Sequence, residues 1–156
     1  MYKIVRFFIL LVAFSSVSFT SVAQGAHSMP MGHAEPPIFL ASGAWVNSAV
    51  GDNITQRGQL YTTSIPVLGS VPPGSTITSV NYNWSLSYIP AGLSVYLCYI
   101  DTTACVDVSS YQSGGLSNFN GLNADNNFVY AFVVSGSGVL FPIAYGQSNQ
   151  IIVNYQ

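Results

Sequence analysis

The two cysteines have the type and spacing that predict chemistry most directly. Cys98 and Cys105 have six residues between them, on either side of a predicted turn at residues 101–103. The flanking segments 93–99 and 105–109 read as the arms of a β-hairpin. This spacing excludes a Cys-x-x-Cys redox site, and there is no second cysteine pair for zinc. In an exported chain we therefore expect a disulfide bond, worth about 2–3 kcal/mol of unfolding free energy for so short a loop.

A second set of possible ligands lies near the amino terminus, where histidine and methionine alternate at His27, Met29, Met31 and His33. Thioether and imidazole groups suit cuprous ions, so this tract could bind copper. The alternative is a flexible arm, because residues 24–37 are rich in proline and glycine and show no apolar period. We interpret the tract as an arm and keep copper binding as the alternative.

The remaining titratable residues form no recognisable catalytic pattern. Both histidines lie in the arm, and no serine stands in the sequence context of a nucleophile elbow. Asp52 lies between Gly and Asn, Asp125 lies beside Asn, and Asp101 lies in the hairpin turn, as turn-forming residues do. We therefore expect no catalytic residue, no cofactor and no small-molecule substrate.

The charge of the chain excludes two classes of partner. Residues 1–23 have a basic start, an apolar run and the small residues Ser21, Val22 and Ala23, which predict a cleaved signal peptide. Beyond them Arg57 is the only Lys or Arg against five acids, a net charge near −4. Nucleic-acid binding and polybasic membrane contact both need many cations. Arg57 could pair with an acid or bind loop carbonyls, or it could contact an acidic partner surface.

One stretch predicts where the core forms. Residues 78–88 alternate without a break, with one face carrying Val80, Tyr82, Trp84, Leu86 and Tyr88. Side chains of a strand repeat every two residues, so this is a half-buried strand with Trp84 at the centre of its inner face.

Other strands are expected at residues 42–48, 59–66, 93–99, 105–109, 128–134, 139–145 and 150–155. Residues 128–134 are apolar on both faces, which predicts a central strand, whereas Pro142 predicts an edge or a bulge. Residues 111–127 read as loop. Seven or eight short strands after the signal peptide and the arm predict an all-β domain at residues 38–156. We expect a single antiparallel β-sandwich with an Ig-like layout.

Several runs of residues are similar to those of one known family. The ending SNQIIVNY at residues 148–155 is similar to the family's ending, and PAGLSVYLC at residues 90–98 is similar to its cysteine strand. Shorter matches follow the same order along the chain: Gly43-Ala44-Trp45, Arg57-Gly58, Trp84 and Leu140-Phe141-Pro142. Together these runs resemble the periplasmic flagellar protein FlhE family, over roughly residues 43–156. The segment between the cysteines is longer than the family leads us to expect, and the arm is an addition.

The resemblance implies a periplasmic β-sandwich beside the flagellar machinery. Its partner would be the export apparatus, through control of proton leakage or a chaperone-like role. Arg57 and Tyr155 are the candidate partner-binding residues, and the terminal strand at 150–155 is either an exposed edge or paired inside the sheet. The main rival is a fimbrial or adhesin-type subunit, because Tyr155 is the penultimate residue of an alternating terminal strand. A periplasmic copper-binding protein is the third possibility.

The two interpretations of the arm are separated by deletion. If residues 24–37 are only a flexible tail, removing them should leave stability and function unchanged, because a tail packs against nothing. Denaturant unfolding and cuprous-ion titration measure this. Tight cuprous binding that is lost when His27, Met29, Met31 and His33 are all replaced would instead establish the copper alternative.

Overall fold

The computed structural model describes residues 42–156. The predicted signal peptide and the arm lie outside this range, and so do the candidate copper ligands His27, Met29, Met31 and His33. Those expectations therefore stay predictions. Within residues 42–156 no helix is both long enough and apolar enough to cross a membrane.

The described chain consists of ten antiparallel strands joined by turns and loops. They are β1 (Gly43–Val50), β2 (Ile54–Arg57), β3 (Leu60–Ile65), β4 (Ile77–Asn83), β5 (Leu93–Tyr99), β6 (Cys105–Asp107), β7 (Ser113–Leu116), β8 (Phe128–Val134), β9 (Gly138–Ala144) and β10 (Ser148–Tyr155). Every recorded strand pairing is antiparallel, so the predicted all-β antiparallel class is confirmed.

Two four-stranded sheets face each other across the core. The first sheet has the order β1-β10-β4-β7 and the second has the order β3-β8-β5-β6. Aromatic side chains meet between them: the ring centroids of Trp45 and Phe128 are 6.3 Å apart, and those of Trp84 and Phe132 are 6.2 Å apart. A separate pair, β2-β9, forms a third sheet.

Trp84 lies in the core directly after β4. Its side chain is 1% exposed, and its indole Nε1 donates to the carbonyl oxygens of Val108 at 3.1 Å and Tyr111 at 3.0 Å. The predicted faces are confirmed, since Tyr82 is buried and Asn83 is exposed. The strand is shorter than predicted: β4 ends at Asn83, whereas the alternation of the sequence continues to residue 88.

The central and edge strands are also where the sequence predicts them. β8 lies between β3 and β5, and none of its seven residues is exposed, as its apolar sequence predicts. β9 pairs with β2 alone, and the register of that pair shifts between Ile54 and Gln56. The expectation that Pro142 marks an edge strand is therefore confirmed.

Two short strands, β2 and β7, lie in segments for which the sequence predicts no strand. β7 has the sequence Ser-Gly-Gly-Leu, which has little tendency to form a strand on its own. It is extended because it pairs with β4 from Val80 to Asn83. The described residues therefore form ten strands, whereas the sequence predicts seven or eight.

The terminal strand β10 is an inner strand. It pairs with β1 on one side and with β4 on the other, and Ile151 and Val153 are fully buried. The alternative in which residues 150–155 form an exposed edge is wrong, because neighbouring strands occupy both of its edges.

The alternation around Trp84 makes a direct prediction about stability. Trp84→Ala should lower the free energy of unfolding by about 3–5 kcal/mol, because it leaves a cavity between the two sheets. Asn83→Ala, one residue earlier on the exposed face, should change it by less than about 0.5 kcal/mol. Denaturant midpoints measure both, and equal shifts would contradict the assigned faces.

Candidate functional site

The two most exposed large apolar side chains of the described residues lie on β9, and two further exposed ones lie beside it. Phe141 is 90% exposed and Val139 is 76% exposed, and Ile89 and Tyr145 are also exposed. We call these four residues the β9 surface. Large aromatic and branched side chains left open to water on one strand are typical of a contact with another molecule.

Hydrogen bonds hold Ile89 next to β9. The Ser87 amide donates to the Tyr145 carbonyl at 2.9 Å, and the Tyr145 amide donates to the Ser87 hydroxyl at 2.9 Å. The Tyr88 hydroxyl donates to the Pro142 carbonyl. The segment that carries Ile89 therefore runs beside β9.

The β2 strand that supports β9 is itself held by Tyr61. The Tyr61 hydroxyl accepts hydrogen bonds from the amides of Thr55 at 3.1 Å and Gln56 at 2.9 Å. Although burial raises it, the Thr55 hydroxyl and these two amides bring the pKa of Tyr61 below its ordinary value. These bonds fix β2 where its register with β9 shifts.

Arg57 ties three turns together at one end of β9. Its Nη1 donates to the carbonyl oxygens of Ala91 and Ser135, both at 3.2 Å. The Ser135 amide donates to the Gly92 carbonyl at 2.9 Å, and the Gly58 amide donates to Val134 at 2.7 Å. Arg57 pairs with Gly138 at the start of β9, so the only Lys or Arg in the described residues lies at the edge of the β9 surface.

Gly92 is required for this junction. Its φ is +81°, and an added Cβ would collide with the Ser135 side chain. Both the backbone conformation and the space therefore allow only glycine.

Within residues 42–156 no three His, Cys, Asp or Glu side chains lie close enough to share a metal ion. A shallow depression of about 280 Å³ lies on the outer face of the second sheet, lined by Leu60, Tyr96, Thr102, Cys105 and Ala131. It is too open to bury most of a small molecule, which ligand sites usually do.

Comparison with known proteins gives the family. The family model described as "Flagellar protein FlhE" matches residues 51–156. The chain belongs to the FlhE family. The FlhE proteins of Salmonella typhimurium and Escherichia coli K12 are 34% and 33% identical over 115 residues, which is 73% of this chain and 85% of each relative. A solved structure titled "Crystal Structure of FLHE" has a TM-score of 0.66 and 32% identity, covering 74% of this chain and 97% of the solved chain.

Membership in the FlhE family gives this protein a flagellum-associated role and favours it over the fimbrial alternative. The family description names a flagellar protein and not an enzyme. The β9 surface and Arg57 both lie within the matched range.

Two of the runs that resemble FlhE meet in the structure. Arg57-Gly58 and Ala91-Gly92 are far apart in sequence, yet both belong to the junction that Arg57 ties together. Of the two roles expected for Arg57, the structure contains the hydrogen bonds to loop carbonyls. Its contact with an acidic partner stays a prediction.

Tyr155, the other candidate partner-binding residue, lies on a different sheet from Arg57. It pairs with Gly43 and is half-buried, and a Cβ added at Gly43 would lie 2.6 Å from its hydroxyl oxygen. The structure therefore does not combine Arg57 and Tyr155 in one sheet. A partner contact by Tyr155 stays a prediction.

Cys98 and Cys105 form the predicted disulfide bond. They pair across β5 and β6, where Cys98 is buried and Cys105 is exposed. The turn role of Asp101 is also present, because its carboxylate accepts bonds from the Thr103 hydroxyl at 2.5 Å and the Thr103 amide at 2.8 Å. These two bonds, the hydroxyl first, lower the pKa of Asp101.

The β9 surface is the feature that the sequence reasoning missed. The signal was present, because Val139, Leu140 and Phe141 are apolar on both faces of a strand that Pro142 confines to an edge. A strand with two apolar faces and only one covered face must expose the other.

The junction predicts a stabilising role for Arg57. Arg57→Met keeps the apolar stem but removes both carbonyl bonds, so the free energy of unfolding should fall by about 1–2 kcal/mol. The neighbouring Gln56→Ala, at an exposed side chain, should change it by less than about 0.5 kcal/mol. Chemical denaturation compares the two, and a change as small for Arg57 as for Gln56 would contradict the proposed tie.

Proposed function

We propose that this protein binds the flagellar export apparatus from the periplasm and modulates it without catalytic turnover. The observation that carries the proposal is membership in the FlhE family over nearly all of the described fold. Modulation would take the form of limiting proton leakage or of chaperone-like assistance.

A periplasmic location is supported by the disulfide bond between Cys98 and Cys105. Such bonds persist in oxidising compartments and are rare in the cytosol. The predicted signal peptide at residues 1–23 supports the same location.

The β9 surface is the proposed contact. Burying a Phe or Val side chain from water contributes about 1.5–3 kcal/mol, and a few such anchors commonly dominate an interface. The side chains of Phe141 and Val139 are largely exposed, so a contact there would remove most of their surface from water. Since Pro142 has no amide hydrogen, we expect side chains to make this contact and not an added strand.

Charge has little part in this contact. The described residues hold Arg57 against four Asp, so no strong field draws a partner from a distance. Binding should accordingly depend only weakly on salt. We propose that Arg57, at the edge of the surface, meets a single carboxylate of the partner.

A deletion strain tests the function. Loss of the gene should alter swimming or cytoplasmic pH while flagella are being built, because the export apparatus would lose its modulator. Loss of pili or attachment, with normal motility and pH, would contradict the proposal and support the fimbrial alternative.

Complementation tests the β9 surface separately. Phe141→Ser should fail to restore the wild-type phenotype although the protein folds, since Phe141 is exposed. The control Leu68→Ser removes another apolar side chain, 61% exposed and outside the β9 surface, and should restore it. Full complementation by Phe141→Ser would exclude β9 as the contact while leaving the flagellar role in place.

A further inference from the structure

Strands at the end of a sheet carry unpaired main-chain groups that can accept another strand. Most such strands in residues 42–156 are protected. β1 and β3 face each other on one side of the sandwich, where the side-chain Nδ2 of Asn47 donates to the Pro66 carbonyl at 2.7 Å. In the third sheet, Pro142 interrupts β9 and the Tyr61 hydroxyl occupies the amides of Thr55 and Gln56 on β2.

β6 is protected by its length and charge. It has three residues, and it ends at Asp107, whose carboxylate accepts the Ser109 amide at 2.8 Å. A charged side chain on a short edge strand discourages another strand from pairing.

β7 is one residue longer than β6 and lacks the other protections. Its four residues contain no proline and no charge, and its pairing with β4 runs in constant register. Ser113, Gly114 and Gly115 are all exposed. Among the described strands β7 pairs with β4 alone.

The hydrogen-bonding pattern shows which groups of β7 point outward. The Trp84 amide donates to the Gln112 carbonyl at 2.8 Å, so the main-chain groups of these two residues face each other. In an antiparallel ladder such pairs alternate, so the amide and carbonyl groups of Gly114 and Leu116 point toward β4. The amide and carbonyl groups of Ser113 and Gly115 therefore point away from β4, at the open edge of the sheet.

The two faces beside this edge differ in chemistry. On the inner face Leu116 of β7 and Val106 of β6 are half-buried and pack against the core. On the outer face Asn81 and Asn83 of β4 are exposed. The side chains of a strand added at β7 would therefore alternate between the apolar inner face and the polar outer face.

We propose that the edge of β7 binds an extended segment of a protein partner whose side chains alternate between apolar and polar. The segment adds a fifth strand to the first sheet through the main-chain groups of Ser113 and Gly115, with its apolar side chains toward Leu116 and Val106. A second copy of β7 fits less well, because it would bring glycine where the edge offers apolar contact. This site lies on a different sheet from β9 and does not rest on the proposed flagellar function.

The test uses the purified mature protein and a fluorescein-labelled peptide of alternating Val and Thr with a Lys at each end. The peptide should bind in fluorescence anisotropy, and a version with a central proline should not. Gly115→Pro should weaken binding about tenfold or more, because it removes an outward amide without touching the ladder to β4. Gly115→Ala keeps that amide, and its Cβ would meet only the exposed Asn81 side chain at 3.2 Å, so it should bind as the wild type does.

Further measurements distinguish a partner segment from a second copy of this chain at the edge of β7. Ser113→Pro removes the other outward amide and should act as Gly115→Pro does, which keeps the test valid if one variant folds poorly. N-methylation of alternate peptide amides should abolish binding to the unaltered protein. Failure of the alternating peptide to bind, or unchanged binding by both proline variants, would overturn the proposal. A wild-type dimer that Gly115→Pro converts to a monomer in analytical ultracentrifugation would assign the edge to a second copy and overturn the partner assignment.

Discussion

The burial of Trp84 is the interaction on which the rest of the fold depends. Its ring packs against Phe132 of the second sheet, while its indole nitrogen donates to Val108 and Tyr111. Its own amide donates to Gln112. One residue therefore fixes the spacing of the two sheets and also holds the segment by which the chain crosses from β6 to β7. A buried indole N–H without a hydrogen-bond partner is costly, so the tryptophan can be buried only while the crossing segment supplies its carbonyl acceptors.

The strands that the sequence predicts best are those whose own side chains determine burial. β5 and β8 have the predicted bounds, since each is a continuous apolar or alternating run. β2 and β7 could not be found this way, because partners distant in sequence keep them extended. The same limit applies to Arg57: composition shows that it is the only cation beyond residue 23, but only the fold brings Ala91 and Ser135 to it. Tyr155 illustrates the opposite case, since a residue prominent in the sequence pattern is half-buried opposite Gly43.

The two proposed contact surfaces differ in kind. At β9 Pro142 removes one amide hydrogen and the side chains are exposed, so recognition there would depend on shape and apolar area. At β7 the side chains are mostly small and the main chain is open, so recognition there would depend on hydrogen-bond geometry. Two such surfaces would let one small domain hold two segments at once, with affinities that multiply if both belong to one assembly.

The pairing of β1 with β10 has a consequence for the order in which the molecule forms. Gly43 pairs with Tyr155, so the first and last strands of the described chain are neighbours, and β1 has no other partner strand there. The first sheet therefore cannot close until β10 has been synthesised. Non-local pairings of this kind fold slowly, in milliseconds to seconds. A chain that stays open until its last strand emerges is well suited to being threaded across a membrane before it folds.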